Sequence, residues 1–170
     1  MQQIIIFEGH DMVGKTTILT ELSKRLNIPA YKEIRNERWY DHMIDLLYAE
    51  EARCQMLEQL GFSVIFDRSY PSEWVYSQVY NRPTLFDKLT TLDKRYAMMG
   101  AKIIILYKTH DKFLDDDQKL IEKEKYTDIK DMYTEFAKQS QCQCLLIDTS
   151  DQDLEKQLAL ITRFLQGGKV

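Results

Sequence analysis

A chain of 170 residues is the size of one ordinary domain, large enough to bury a core without disulfide staples. Hydrophobic residues make up 44% and charged residues 29%, which excludes a disordered tail or a collagen-like fibre. The net charge of −4 argues against nucleic acid or an anionic membrane surface as main partner, since binding to either needs surplus Lys and Arg, but leaves room for a small anion in a locally basic pocket.

In chain order, the pattern predicts a strand over Gln3–Phe7 and a helix over Lys15–Leu26, where Ile18, Leu22 and Leu26 recur every four residues. A weak strand follows at Pro29–Glu33, then a long helix over Glu37–Leu60 that Gly61 closes. Ser63–Asp67 reads as the next strand. Ser72–Val79 and Leu85–Met99 read as helices, the second closed by Gly100. Lys102–Tyr107 is a strand, Thr127–Lys138 a helix, Cys144–Asp148 a strand and Asp151–Leu165 a final helix striped by Leu154, Leu158, Ile161 and Leu165. Between residues 111 and 126, with Asp115-Asp116-Asp117 inside it, the chain is too polar to build a core, and a mobile surface segment is expected there.

Apolar runs such as Ile4-Ile5-Ile6, Val64-Ile65-Phe66, Ile103-Ile104-Ile105 and Leu145-Leu146-Ile147 suit strands buried on both faces. Strands alternating with helices predict an α/β fold, a single doubly wound domain over 1–170 with a five-stranded parallel sheet covered by helices. The three cysteines are Cys54, Cys142 and Cys144, an odd number without zinc spacing, so free thiols in a reducing compartment are expected. The run Ile4–Phe7 is too short for a signal peptide or a membrane span, and a cytoplasmic location follows by default.

The first strand runs into Gly9-His10-Asp11-Met12-Val13-Gly14-Lys15-Thr16 and then a helix. This is G-x-x-x-x-G-K-[ST], the Walker A pattern, in the strand–loop–helix setting that it requires. A chain of this composition would contain about 0.002 such matches by accident. The glycines let successive backbone N–H groups, those of Val13, Gly14 and the Thr17 turn among them, point at a phosphate beside a helix N-terminus. Lys15 would span the β- and γ-phosphates of ATP, and the Thr16 hydroxyl would ligate Mg²⁺.

Phe7-Glu8-Gly9-His10-Asp11-Met12-Val13-Gly14-Lys15-Thr16-Thr17 resembles the opening of thymidylate kinases, F-E-G-x-D-x-x-G-K-[ST]-T. A second match is Asp67-Arg68-Ser69, followed by Ser72-Glu73-Trp74-Val75-Tyr76; thymidylate kinases carry Asp-Arg there and deoxynucleoside kinases Glu-Arg-Ser. The resemblance implies that Asp67 holds Mg²⁺ or its waters, that Arg68 forks the acceptor phosphate, and that Asp11 meets the sugar 3′-hydroxyl. Glu8 matches a family residue and equally suits a loop-ordering role.

For the acceptor, Glu33 resembles the deoxynucleoside kinase base, while Arg35 or Arg38 resembles the thymidylate kinase arginine on the acceptor phosphate. Tyr48 and Arg53 fall in Leu46-Leu47-Tyr48-Ala49-Glu50-Glu51-Ala52-Arg53, which resembles the family stretch L-L-F-x-A-x-R with its register off by one. Their role as base contacts competes with a plain amphipathic helix, and Trp39, Tyr40, Trp74 and Tyr76 are alternative stacking surfaces. The chain departs from the family in one respect. Met12 stands where an arginine often follows the loop Asp, and no arginine lies between Tyr107 and Tyr126, where Lys112, Lys119, Lys123 and Lys125 are among the cations. The combined reading is phosphoryl transfer from ATP-Mg²⁺ to a dTMP-like monophosphate, the segment 111–126 serving as lid. A nucleoside kinase using Glu33, or a nucleotide-binding module with little catalysis, are the alternatives. Small-molecule nucleotides are the expected partners, and a homodimer is allowed but not required.

Overall fold

Ile4, Ile5 and Ile6 divide between two layers in the computed structural model, which describes residues 2–32, 43–109, 125–151 and 153–168. Five strands form one parallel sheet: β1 (Ile4–Gly9), β2 (Ala30–Lys32), β3 (Val64–Asp67), β4 (Lys102–Tyr107) and β5 (Gln143–Asp148). The order across the sheet is β2-β3-β1-β4-β5, so the glycine-rich loop leaves the centre of its carboxyl edge. Among the described residues the helices are α1 (Lys15–Leu26), α2 (Met43–Leu60), α3 (Tyr70–Val79), α4 (Phe86–Met98), α5 (Tyr126–Gln139) and α6 (Leu154–Leu165). This is the predicted doubly wound α/β architecture.

Strand periodicity sends alternate side chains to opposite faces. Ile4 and Ile6 join Leu57, Phe66, Val75, Leu92, Tyr96, Ile103 and Phe136, a layer supplied by α2, α3, α4 and α5. Ile5 and Phe7 join Ile18, Leu22, Ile65, Ile104, Leu158 and Ile161, the layer of α1 and α6. The expectation of burial on both faces holds for β1, β3 and the middle of β4 but fails at β5. That strand is an edge: Leu145 and Ile147 face the α1/α6 layer, while Leu146 is left 36% exposed.

Several boundaries move for local reasons. β1 extends to Gly9 because Glu8 and Gly9 pair with Ile105 and Leu106. α3 starts at Tyr70 rather than Ser72, with Pro71 in its first turn, where the missing N–H is no loss. α6 starts at Leu154 rather than Asp151, because Asp153 caps it by accepting the Lys156 N–H at 3.0 Å. The predicted helix start over residues 37–42 and the predicted lid from 111 to 124 lie outside the described residues. Tyr126, at the end of that segment, belongs to α5 and is buried, its hydroxyl accepting the Lys108 N–H at 2.8 Å. All three cysteines are free. No helix among the described residues is long and apolar enough to cross a membrane.

Candidate functional site

At the carboxyl edge the glycine-rich loop turns back over the sheet. Gly9 sits at φ 128°, and a Cβ built there would lie 2.2 Å from the Leu106 carbonyl oxygen, so only glycine lets β1 pass β4 this closely. Gly14, at φ 82°, caps α1 with no side-chain hydrogen bond to the helix, so the first backbone N–H groups have no side-chain cap, an arrangement that can receive an anion. Thr16 and Thr17 are exposed beside it. Val13 is buried, and its carbonyl accepts the Thr149 hydroxyl at 2.8 Å, tying the loop to the end of β5. His10 is buried edge-on to the Tyr126 ring, centroids 4.1 Å apart, and burial pushes its pKa down to about 3.

Lys15 lies buried beneath the loop, its Nζ 3.8 Å from Asp67 Oδ1. Burial lowers its pKa to about 8, helped by the Arg68 charge and opposed by Asp67. Asp67, buried at the end of β3, meets a second ammonium on its other oxygen: Lys32 Nζ is 3.5 Å from Oδ2. Arg68 follows at φ 72°, a strained backbone setting for a residue with a Cβ. Its N–H donates to the Phe7 carbonyl at 2.9 Å. Its Nη2 donates to Asp11 Oδ1 at 3.0 Å and its Nη1 to the Ser72 and Tyr76 hydroxyls at 3.3 Å each.

Two buried carboxylates hold this corner from behind. Glu8 accepts the Ser69 N–H at 2.9 Å, the Ser72 hydroxyl at 2.6 Å and the Tyr133 hydroxyl at 2.9 Å. Burial raises its pKa, with the positive charge of Arg68 opposing. Glu50, from α2, accepts the Ser69 hydroxyl, the Tyr96 hydroxyl at 2.8 Å and Arg53 Nη1 at 2.5 Å. Ser69 is thus gripped at its N–H by one acid and at its hydroxyl by another, which fixes the residue after the strained arginine. Every carboxylate oxygen in this bridge accepts from at least one donor, the condition under which a polar network makes a fold rigid.

The arrangement brings together Gly9, Asp11, Gly14, Lys15, Asp67 and Arg68. Arg53 turns inward, its guanidinium 4.8 Å from the Tyr31 ring centroid and 5.4 Å from that of Phe66. Tyr48 instead lies on another face of α2, 55% exposed, with Lys88 Nζ 4.2 Å from its ring centroid. The off-register match therefore splits this pair, since five residues on a helix span about 140° of turn. Trp74 packs on Phe136 and Tyr76 stacks on Tyr80. Glu33, Arg35, Arg38, Trp39 and Tyr40 lie outside the described residues, as do Lys112, Lys119 and Lys123; Lys125 pairs with Asp128 at 3.7 Å.

Glu50, Tyr133, Thr149 and Lys32 escaped the sequence reading. For Glu50 a signal existed: Leu47, Glu50, Cys54 and Leu57 form one buried helical stripe, and an acid within such a stripe must have partners. Among the described residues no group of three or more His, Cys, Asp or Glu side chains could hold a metal. Thr16 and Asp67 offer two hard oxygens beside the glycine-rich loop. That set suits Mg²⁺, which keeps waters and phosphate oxygens as its other ligands.

No protein-family model matches the chain, and no curated protein matches its sequence. Solved structures do match, along nearly its whole length. The fold is similar to that of the YorR protein of Bacillus subtilis, solved with phosphorylated GDP. The TM-score is 0.65 at 22% identity, over 95% of this chain and 96% of that one. It is similar to deoxyadenosine kinase from M. mycoides, solved with the products dCMP and dCDP, with TM-score 0.63 and 25% identity over 98% and 99% of the two chains. It is also similar to thymidylate kinase from Ehrlichia chaffeensis, with TM-score 0.59 and 19% identity over 97% and 98%. The chain has the α/β fold of P-loop kinases, and its structural neighbours are nucleoside and nucleotide kinases, which supports a kinase reaction.

Proposed function

We propose that this protein transfers the γ-phosphoryl group of ATP to the phosphate of a (deoxy)nucleoside monophosphate of the dTMP kind, giving the diphosphate and ADP. The observation that carries the reading is the convergence of Lys15, Asp67 and Arg68 at adjoining strand ends beside the glycine-rich loop. The loop N–H groups and Lys15 bind the donor phosphates. Thr16 and Asp67 would hold Mg²⁺, which when bound neutralises charge on the donor phosphates. Arg68, aimed by Ser69 and braced by Asp11 and Ser72, would orient the acceptor. An acceptor phosphate oxygen then forms a bond to the γ-phosphorus as the bond to the β,γ-bridging oxygen breaks, and ADP leaves with that electron pair. A monophosphate oxygen is already anionic near neutral pH, so no dedicated base is needed and positioning carries the rate.

A second reading is favoured by the full-length likeness to a deoxyadenosine kinase and by Ser69 after the Asp-Arg pair: transfer to a nucleoside 5′-hydroxyl, with Glu33 taking its proton. Labelled ATP, offered to a panel of nucleosides and nucleoside monophosphates, separates the two. The first reading expects labelled diphosphate from a monophosphate. Labelled monophosphate from a nucleoside alone would move the assignment to the second. ATP binding without transfer to any acceptor would leave a nucleotide-binding module.

A further inference from the structure

The last residue of β2 has no part in any motif, yet its ammonium reaches the centre of the site. Lys32 is the register partner of Asp67 in the parallel β2/β3 pair, so the two side chains leave the sheet on the same face, one strand spacing apart. Lys32 Nζ sits 3.5 Å from Asp67 Oδ2, opposite to Lys15 at 3.8 Å from Oδ1. The sheet order places β2 beyond β3, on the side of Asp67 away from the donor loop. Going along the carboxyl edge, one therefore meets the donor loop, then Asp67, then Lys32.

Four cations around this point, Lys15, Arg68, Arg53 and Lys32, differ in how far they are committed. Lys15 is buried under the donor loop. Arg68 spends Nη2 on Asp11 and Nη1 on Ser72 and Tyr76. Arg53 is held by Glu50 against Tyr31 and Phe66. The Lys32 side chain is 68% exposed, and its ammonium, which carries three donors, meets Asp67 as an ion pair at 3.5 Å. An edge-strand lysine commonly serves only to discourage edge pairing. That role asks for a chain pointing into solvent and does not account for Nζ over the Asp67 carboxylate. An ion pair this exposed on one side also adds little to stability.

We propose that Lys32 is a second phosphate-binding residue for the acceptor, acting with Arg68 to favour a monophosphate over a nucleoside. This rests on the monophosphate reading above. A dianionic acceptor phosphate arriving beside Arg68 meets an ammonium on a flexible stem, able to turn from Asp67 by rotation of its own side chain. A neutral 5′-hydroxyl gains nothing from it. Lys32 thus selects by charge, and it does so from the acceptor side without touching the donor loop.

The test uses the full chain with Lys32→Ala and Lys32→Arg. For the best acceptor in a monophosphate panel, Lys32→Ala should raise KM and the calorimetric Kd about 10- to 50-fold, the weight of one charge-assisted contact. KM for ATP should stay within about twofold, and Lys32→Arg should recover most of the loss because it keeps the charge. The matching nucleoside should bind wild type and Lys32→Ala alike. An acceptor Kd unchanged in Lys32→Ala, or an equal loss for nucleoside and monophosphate, would overturn the proposal while leaving the kinase reading intact. A wild-type protein that phosphorylates nucleosides and no monophosphate would overturn both, and that shows before any variant is made.

Discussion

The loop between β1 and α1 draws its chemistry from eight consecutive residues, Gly9 to Thr16, whereas the corner after β3 draws on side chains as far apart as Glu8 and Tyr133. In the loop the glycine backbone sets the conformation, Gly9 at φ 128° and Gly14 at φ 82°, and Lys15 adds a point charge. At the corner the backbone is strained at Arg68, and Glu8 from β1 and Glu50 from α2 hold its neighbour Ser69. A backbone device can be written locally. A braced side chain needs the fold first.

The contrast makes the loop and the corner fail differently when altered. Lys15→Ala should cut transfer by at least about a thousandfold, about 4 kcal/mol of transition-state stabilisation. Its unfolding midpoint should move little, because Asp67 keeps Lys32 as a partner. Steady-state kinetics and a denaturant titration check both halves, and a folded variant with near-normal turnover would break the donor assignment.

Arg68→Ala should lower kcat/KM about a hundredfold, about 3 kcal/mol, and Arg68→Lys should recover only part, since an ammonium cannot bridge Asp11, Ser72 and an acceptor with planar geometry. Equal rescue by lysine would reduce the corner to a charge and remove its distinction from the loop.

Glu50→Ala sharpens the comparison from behind the site. It strips acceptors from the buried Ser69 and Tyr96 hydroxyls and takes the Glu50 carboxylate from Arg53, and the protein should lose about 2 to 3 kcal/mol of stability. Turnover of the folded fraction should fall as well, because Arg68 loses its anchor through Ser69. A stable variant with unchanged kinetics would show that Glu8 alone suffices.

The smallest effect concerns pH. His10 titrates near 3 in the folded protein against about 6.5 when unfolded, so between these values the unfolded chain binds the extra proton. Stability should therefore fall as pH drops, by about 2 kcal/mol between pH 6.5 and 5 from this group. Thermal melts of wild type and His10→Gln across that range test it: the slope should flatten in the variant, and parallel slopes would contradict the assignment.

How much could be read beforehand varies along the chain. The bounds Lys102–Tyr107 for β4 agree residue for residue with the sequence reading, because an apolar run framed by Gly100 and a polar segment leaves little choice. The loop was equally open to reading, being a contiguous pattern between a strand and a helix. The burial of β5 was not: Leu145-Leu146-Ile147 has the same apolar character as Ile103-Ile104-Ile105, and only the sheet order makes one an edge and the other central. Tyr48 and Arg53 share one stretch that resembles a family pattern and equally suits a plain amphipathic helix, and helix rotation sends one towards Lys88 and the other towards Tyr31 and Phe66.

By itself the sequence determined the alternation of strands and helices and the glycine-framed loop at the start of α1. Both follow from forces acting over one to four residues: side-chain periodicity, glycine's conformational range and the orphan N–H groups of a helix start. Only the tertiary structure decided that Lys32 stands beside Asp67 and that Glu8, Glu50 and Tyr133 meet around Ser69 and Ser72. Those contacts join residues up to 125 positions apart. They exist because burial in two layers fixes the strand order and register, and no local pattern carries that choice.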